Sequence, residues 1–118
     1  MRFTMTYKPW DIVLVPFPFT NLSTNKKRPA LIVSPAEYNK GYDVIIMFIT
    51  SNLSALERPG DYKLTKWKEA GLPKPSMTRM KLATVDKNIV IKKIARLEET
   101  DRKAIQEITI DFLVTNLK

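Results

Sequence analysis

Two short runs gather the side chains best suited to handling a phosphate. Lys26, Lys27 and Arg28 close a polar stretch and stop against Pro29. Proline fixes the backbone just past the arginine. An arginine held at the mouth of a strand presents a rigid fork of donors that matches two oxygens of a phosphodiester. A second basic pair, Arg79 and Lys81, lies in SMTRMKLA (Ser76–Ala83). A period of two sets Met77, Arg79, Lys81 and Ala83 on one face of that segment, with Thr78, Met80 and Leu82 on the other. Thr50 and Ser51 stand where the most apolar run of the chain ends. Their hydroxyls either cap loop amides or donate to a ligand, and spacing alone does not choose.

What is missing narrows the chemistry further. The chain has neither histidine nor cysteine. Histidine-dependent triads, thiol nucleophiles, disulfides and the usual zinc site are therefore excluded. The twelve carboxylates show no ligand spacing, and Glu98, Glu99 and Asp101 read as the start of a helix. Three scattered glycines cannot build a phosphate-cradling loop. No metal or cofactor is expected. Tyr7, Trp10, Phe17, Phe19, Tyr38, Tyr42 and Trp67 could stack on bases if exposed, and Phe17 and Phe19 share a parity beside the basic run.

Charge points the same way. The net charge is +8, with residues 60–96 at +7 and residues 97–118 at −2. A basic body suggests an anionic partner, nucleic acid ahead of membrane. No run approaches 18 apolar residues and the N-terminal segment lacks a cleavage site, so the expectation is a mature cytoplasmic protein with no membrane partner.

The elements that must position these residues are short. Asp11–Val15 reads as a strand, Pro16–Arg28 as a long loop or loose hairpin tip, and Ala30–Ser34 as a second strand. Asp43–Thr50 is almost continuously apolar and must be a central strand or one buried on both faces. Ser51–Gly60 is a loop, Tyr62–Thr65 a short strand, and Ser76–Ala83 a longer one; Val85–Ile94 supplies a strand or a strand pair. Helical turns fit Ala36–Lys40 and Lys66–Ala70. One true helix follows, capped by Thr100, with Ala104, Ile105, Ile108 and Phe112 at helical spacing. Five or six strands without a βαβ rhythm give a single, mainly β domain: a small, mostly antiparallel barrel or half-barrel over residues 1–118.

Taken together, WDIVLVPFPFTNLSTNKKRPALIVS (Trp10–Ser34), DVIIMFITS (Asp43–Ser51) and LTKWKEAGLPKPSMTRMKLATVDK (Leu64–Lys87) resemble the MazF/PemK family of toxin endoribonucleases. The resemblance implies an SH3-like barrel of the MazF/PemK/CcdB type with a C-terminal helix, assembled as a symmetric homodimer. It implies cleavage of single-stranded RNA (mRNA) at short preferred sequences without a metal. It also implies a cognate antitoxin whose acidic, partly disordered tail lies in the RNA groove.

By the same resemblance Arg28 matches the catalytic arginine, and Thr50 and Ser51 match the hydroxyl residues at the end of the long strand. RNA contacts are then expected from Phe17, Phe19, Thr20, Asn21, Lys26 and Lys27 in the first loop, with Arg79 and Lys81 holding flanking phosphates. Three departures stand out. Trp10 occupies a position where many members carry glycine, the histidine some relatives use is absent, and after Arg79 no carboxylate follows until Asp86. A base must then come from Asp43, Glu57 or Asp61, or from none of them. A non-catalytic binder resembling the gyrase-inhibiting toxins is the alternative function.

Overall fold

Valine, isoleucine and threonine, whose branched side chains favour extended backbone, dominate the runs that become strands. In the computed structural model, which describes residues 6–18 and 26–114, six strands form one antiparallel sheet. They are β1 (Asp11–Pro16), β2 (Lys27–Ile32), β3 (Asp43–Thr50), β4 (Tyr62–Lys63), β5 (Met77–Asp86) and β6 (Lys92–Arg96), in the order β4-β5-β3-β2-β1-β6. Two single-turn helices, α1 (Ala36–Asn39) and α2 (Trp67–Ala70), decorate it, and α3 (Glu99–Val114) follows the last strand.

Alternation divides the apolar residues between the two sides of this curled sheet. Val13, Val15, Ala30, Ile32, Val44 and Ile46 pack with Tyr7, Val85 and Val90 on one side. Ile12, Leu31, Met47 and Ile49 pack with Leu64, Leu72, Leu97 and Ile105 of α3 on the other. β3 feeds both clusters, which is why its sequence is apolar at nearly every position.

Three of the differences from the sequence reading have a clear physical cause. β2 begins at Lys27, so Pro29 lies inside a strand. That is possible because β2 pairs with β3 only from Ala30 onward, and at Pro29 no second neighbour needs an amide. β5 runs unbroken through Asp86, whose carboxylate accepts the Asn88 N–H and turns the chain into β6.

The third concerns Thr100, which lies within α3 rather than capping it, and Asp101 does more than suit a helix dipole. The Asp101 side chain is buried and accepts hydrogen bonds from the Tyr62 hydroxyl (2.7 Å), the Thr65 amide and hydroxyl (3.1 and 2.8 Å) and the Lys66 amide (2.9 Å). Burial pushes its carboxyl up, but these four donors outweigh that and hold it below the ordinary value. Burial and the neighbouring carboxylate push the Tyr62 phenol the other way, up to about 12.

The chain enters β1 through a tight turn. The Asp11 amide donates to the Lys8 carbonyl (3.1 Å), with Pro9 and Trp10 at the centre of the turn. Trp10 takes φ 78°, the left-handed conformation that the third position of a type II turn demands. A glycine would fit there without strain, and the tryptophan instead packs its ring on the second core cluster.

Candidate functional site

β2 and β3 carry the central pair. Ala30 opposes Phe48, and Ile32 opposes Ile46. The pairing stops at Ala30 and Phe48, and just beyond it Arg28 of β2 and Thr50 of β3 stand at the end where both strands open into loops. Both residues line a cleft of about 210 Å³ with Val15, Phe17, Phe48, Arg58, Arg79 and Lys81. Both also line a neighbouring cavity with Lys27, Ser51, Lys74 and Ser76. The cleft is open and smaller than the roughly 300–1,000 Å³ of an enclosing small-molecule pocket, so it suits one segment of a longer ligand.

The cations of this cleft rest on aromatic rings. The Arg28 guanidinium lies 5.4 Å from the centre of the Phe17 ring, and the Lys81 ammonium 4.8 Å from that of Phe48. The two rings meet edge to face at 6.0 Å. A cation–π contact fixes a long side chain without consuming an N–H in a hydrogen bond, which leaves the donors for an anion. Thr50 Oγ1 accepts the Asn52 amide at 3.1 Å, turning the chain out of β3. Capping uses a lone pair and leaves the hydroxyl proton to be donated.

A bulge places the basic face of β5. Met47 pairs with Leu82 and Ile49 with Thr78, so Phe48 alone faces Arg79, Met80 and Lys81. Bulges of this kind re-aim side chains beside functional sites. Lys81 and Arg79 both reach the cleft, as their shared parity implies.

Arg79, however, arrives already engaged. Its Nε and one Nη donate to Asp61 at 3.2 and 2.9 Å, and the same Nη donates to the Leu56 carbonyl at 2.8 Å. The side chains are only 13% and 2% exposed, which makes this a buried pair rather than a surface cation waiting for a phosphate.

Sequence reasoning missed the clamp this creates. Arg58-Pro59-Gly60-Asp61 forms a turn in which the Asp61 amide donates to the Arg58 carbonyl (3.0 Å) and the Asp61 carboxylate accepts the Arg58 amide (2.8 Å). Gly60 sits at φ 88°, and a Cβ there would come within 2.9 Å of Met80. The Pro-Gly pair was a readable turn signal; the contact with β5 was not.

The three carboxylates considered as bases separate clearly. Asp43 begins β3, at the opposite end of the strand from Thr50. Glu57 is exposed on the loop. Burial raises the Asp61 carboxyl, but the hydrogen bonds and charges of Arg79 and Arg58 override it and hold the group below its ordinary value. With its oxygens occupied, Asp61 is poorly suited to abstract a proton. Among the described residues no cluster of three or more acidic side chains is placed to hold a metal ion. No helix of the described residues is long and apolar enough to cross a membrane. Phe19, Thr20 and Asn21 lie outside the described residues, and Lys26 flanks the hairpin where its carbonyl accepts the Phe17 amide.

The sequence profile of the PemK-like, MazF-like toxins of type II toxin–antitoxin systems matches residues 8–113. The chain belongs to that family. The toxin fold recurs in solved structures. An endoribonuclease from mycobacterial species is 14% identical, covers 95% of each chain and superposes with a TM-score of 0.73. The MazE–MazF complex from Deinococcus radiodurans gives 18% identity and a TM-score of 0.73, over 94% of this chain and 98% of that one. The Mycobacterium tuberculosis toxin MazF-mt6 gives 18% and 0.66, over 86% and 93%. Among curated proteins no sequence matches significantly. At such identities these likenesses establish the fold: a mainly β half-barrel with a C-terminal helix.

Proposed function

We propose that this MazF-like toxin is a metal-independent endoribonuclease that cuts single-stranded RNA at short preferred sequences. The observation that carries the reading is that Arg28 and Thr50, at the open ends of β2 and β3, line one cleft together with Lys81, Arg79, Arg58 and two aromatic rings. Solved relatives named endoribonuclease, one of them in complex with its cognate antitoxin, support it.

RNA brings its own nucleophile. The 2′-oxygen forms a bond to the adjacent phosphorus while the bond from phosphorus to the 5′-oxygen breaks, leaving a 2′,3′-cyclic phosphate and a 5′-hydroxyl. Arg28 suits the crowded phosphorane, since its donors can hold two non-bridging oxygens as their charge grows. Thr50 holds the phosphate or the 2′-hydroxyl in line, with Ser51 beside it. Guanidinium is a poor base at neutral pH, so the 2′-proton passes to solvent and the leaving oxygen is protonated from Arg28 or water. Phe17, Lys26, Lys27 and the loop bearing Phe19, Thr20 and Asn21 bind the flanking strand, with Lys81 adding charge.

As a toxin the chain acts from the cytoplasm as a homodimer. A cognate antitoxin silences it by laying an acidic, partly disordered tail along the same basic cleft. The test is cleavage of a long single-stranded RNA in excess EDTA by wild type and Arg28→Ala, with product ends mapped. Recurrent cuts ending in cyclic phosphate, lost in the variant, are expected. A folded protein that binds the RNA but leaves it whole would move the reading to a non-catalytic binder.

A further inference from the structure

We propose that Arg58 is a second phosphate-binding guanidinium of the cleft, and that Asp61 and Arg79 are positioning residues that present it. The inference rests on the ribonuclease reading for the identity of its ligand, a backbone phosphate of single-stranded RNA next to the one held by Arg28.

The difficulty such a residue must overcome is mobility. Arg58 lies on the segment between β3 and β4, which has neither helix nor strand to stiffen it. A long side chain on an unsupported loop loses much of its binding energy to ordering. Here the loop is tied down on both sides of Arg58. Upstream, Arg79 donates to the Leu56 carbonyl (2.8 Å). Downstream, Arg79 grips Asp61 through two donors, and the remaining capacity of that carboxylate takes the amide of Arg58 itself (2.8 Å). Gly60 allows the turn to press against Met80 of β5. The clamp anchor is thus a rigid strand, and what it delivers is one residue.

What is delivered suits an anion. Arg58 lines the same cleft as Arg28 and Lys81, and among the described residues its guanidinium donates to no protein acceptor. The clamp keeps its own charges balanced between Arg79 and Asp61, and of the loop's two remaining charges only Arg58, not Glu57, lines the cleft. Arginine rather than lysine at this position favours two-point recognition of phosphate oxygens.

The experiment compares wild type, Arg58→Gln, Asp61→Asn and the double variant. Binding to a mixed-sequence 2′-O-methyl RNA, which lacks the nucleophile, is followed across salt concentrations, and cleavage of the unmodified RNA is measured in parallel. Loss of one phosphate contact lowers the slope of log affinity against log salt by about 0.7 for a single strand. Arg58→Gln is expected to do this in the wild type and to change the slope little in the Asp61→Asn background, where Arg58 is already misplaced. Because Asp61→Asn also frees the Arg79 charge into the cleft, the comparison is between the two backgrounds. A general structural role for Asp61 would instead add to the effect of Arg58→Gln.

An unchanged slope in Arg58→Gln, or additive losses in the double variant, overturns the inference. Arg58 is exposed, so Arg58→Gln alone decides should Asp61→Asn lose cooperative unfolding. A wild type that cuts RNA alongside an Arg58→Gln of unaltered slope removes this inference and leaves the ribonuclease reading standing. A wild type that binds with the expected slopes but never cuts does the reverse. A wild type that neither binds nor cuts removes both.

Discussion

The two ends of β3 are built on opposite principles. At the Asp43 end, Ser34 and Asn39 form a buried knot. Ser34 donates to the Asn39 side-chain oxygen and accepts the Ile45 amide, while Asn39 donates to the Tyr7 and Ser34 carbonyls. Even Lys87 turns inward there, onto the Asn39 carbonyl (3.1 Å). At the Thr50 end, Arg28 and Lys81 face solvent over aromatic rings. One end satisfies its polar groups internally and so holds the fold. The other leaves donors for something outside the protein.

Truncation should separate these roles, and it gives the largest expected effects. Arg28→Ala should cost about 10²–10³-fold in RNA cleavage, the usual penalty for removing one donor to a developing oxyanion, while thermal unfolding stays at the wild-type value. Asn39→Ala should do the converse. It strands two buried carbonyls and a hydroxyl, and a loss of about 2–4 kcal/mol in urea unfolding is expected. Cleavage by the fraction still folded should be unchanged. If Arg28→Ala lowered stability and spared cleavage, the two ends would not differ as described.

The pH dependence of cleavage sharpens the open end. The chain has no histidine or cysteine to titrate near neutrality, and Asp61 is held low. If solvent takes the 2′-proton, the rate should climb up to tenfold per pH unit from pH 6 to 8 without a bell. A bell-shaped profile centred near neutrality would require a protein base with a strongly shifted pKa, and Glu57 on the loop would become the first residue to replace.

Much of this contrast was legible in the sequence, and the reason is locality. Lys27, Arg28 and Pro29 announce themselves within a few residues, and so does the alternation of Arg79 and Lys81. The apolar run ending at Thr50 marks a central strand because only a strand buried on both faces can be so uniformly apolar. What stayed hidden lies in contacts between distant segments. Arg79 meets Asp61 across 18 positions, and Asp101 meets Tyr62 across 39. An aspartate three residues into a helix reads as a dipole complement. Nothing nearby says that a loop will close over it. The start of β2 was misplaced for a related reason: Pro29 ends a strand only when both neighbours need its amide, and here one is missing at that level.

Asp101 offers a smaller test on the closed side of the comparison. Its carboxyl lies below the ordinary value in the folded protein. The stability it contributes is therefore complete above the unfolded value, about 3.9 for aspartate, and fades as pH falls through the lower folded value. Tyr62 works in the opposite sense, its contribution present below about pH 10 and lost as pH rises toward about 12. Asp101→Asn sets an amide donor where the Lys66 or Thr65 N–H now points. It should lower the melting temperature at pH 7 and flatten the decline below about pH 4. An unaltered acid limb would assign that limb to other carboxylates.

The smallest effect tests the entry to β1, where the fold tolerates a residue poorly matched to its backbone. Trp10 at φ 78° pays for its ring contacts with the left-handed conformation, a cost of about 1–2 kcal/mol for a residue with a Cβ. Trp10→Gly and Trp10→Ala both remove the ring and its packing on Ile12, Leu31 and their neighbours, so both should destabilise. Only alanine keeps the Cβ. Glycine should therefore be the milder substitution by about 1 kcal/mol, reversing the usual order in regular structure, where alanine is favoured. Urea unfolding of the two variants under one condition gives that difference directly. Alanine equal to or better than glycine would mean the turn relaxes when the ring is gone, and that the strain belongs to the tryptophan's packing rather than to the type II geometry set by Pro9.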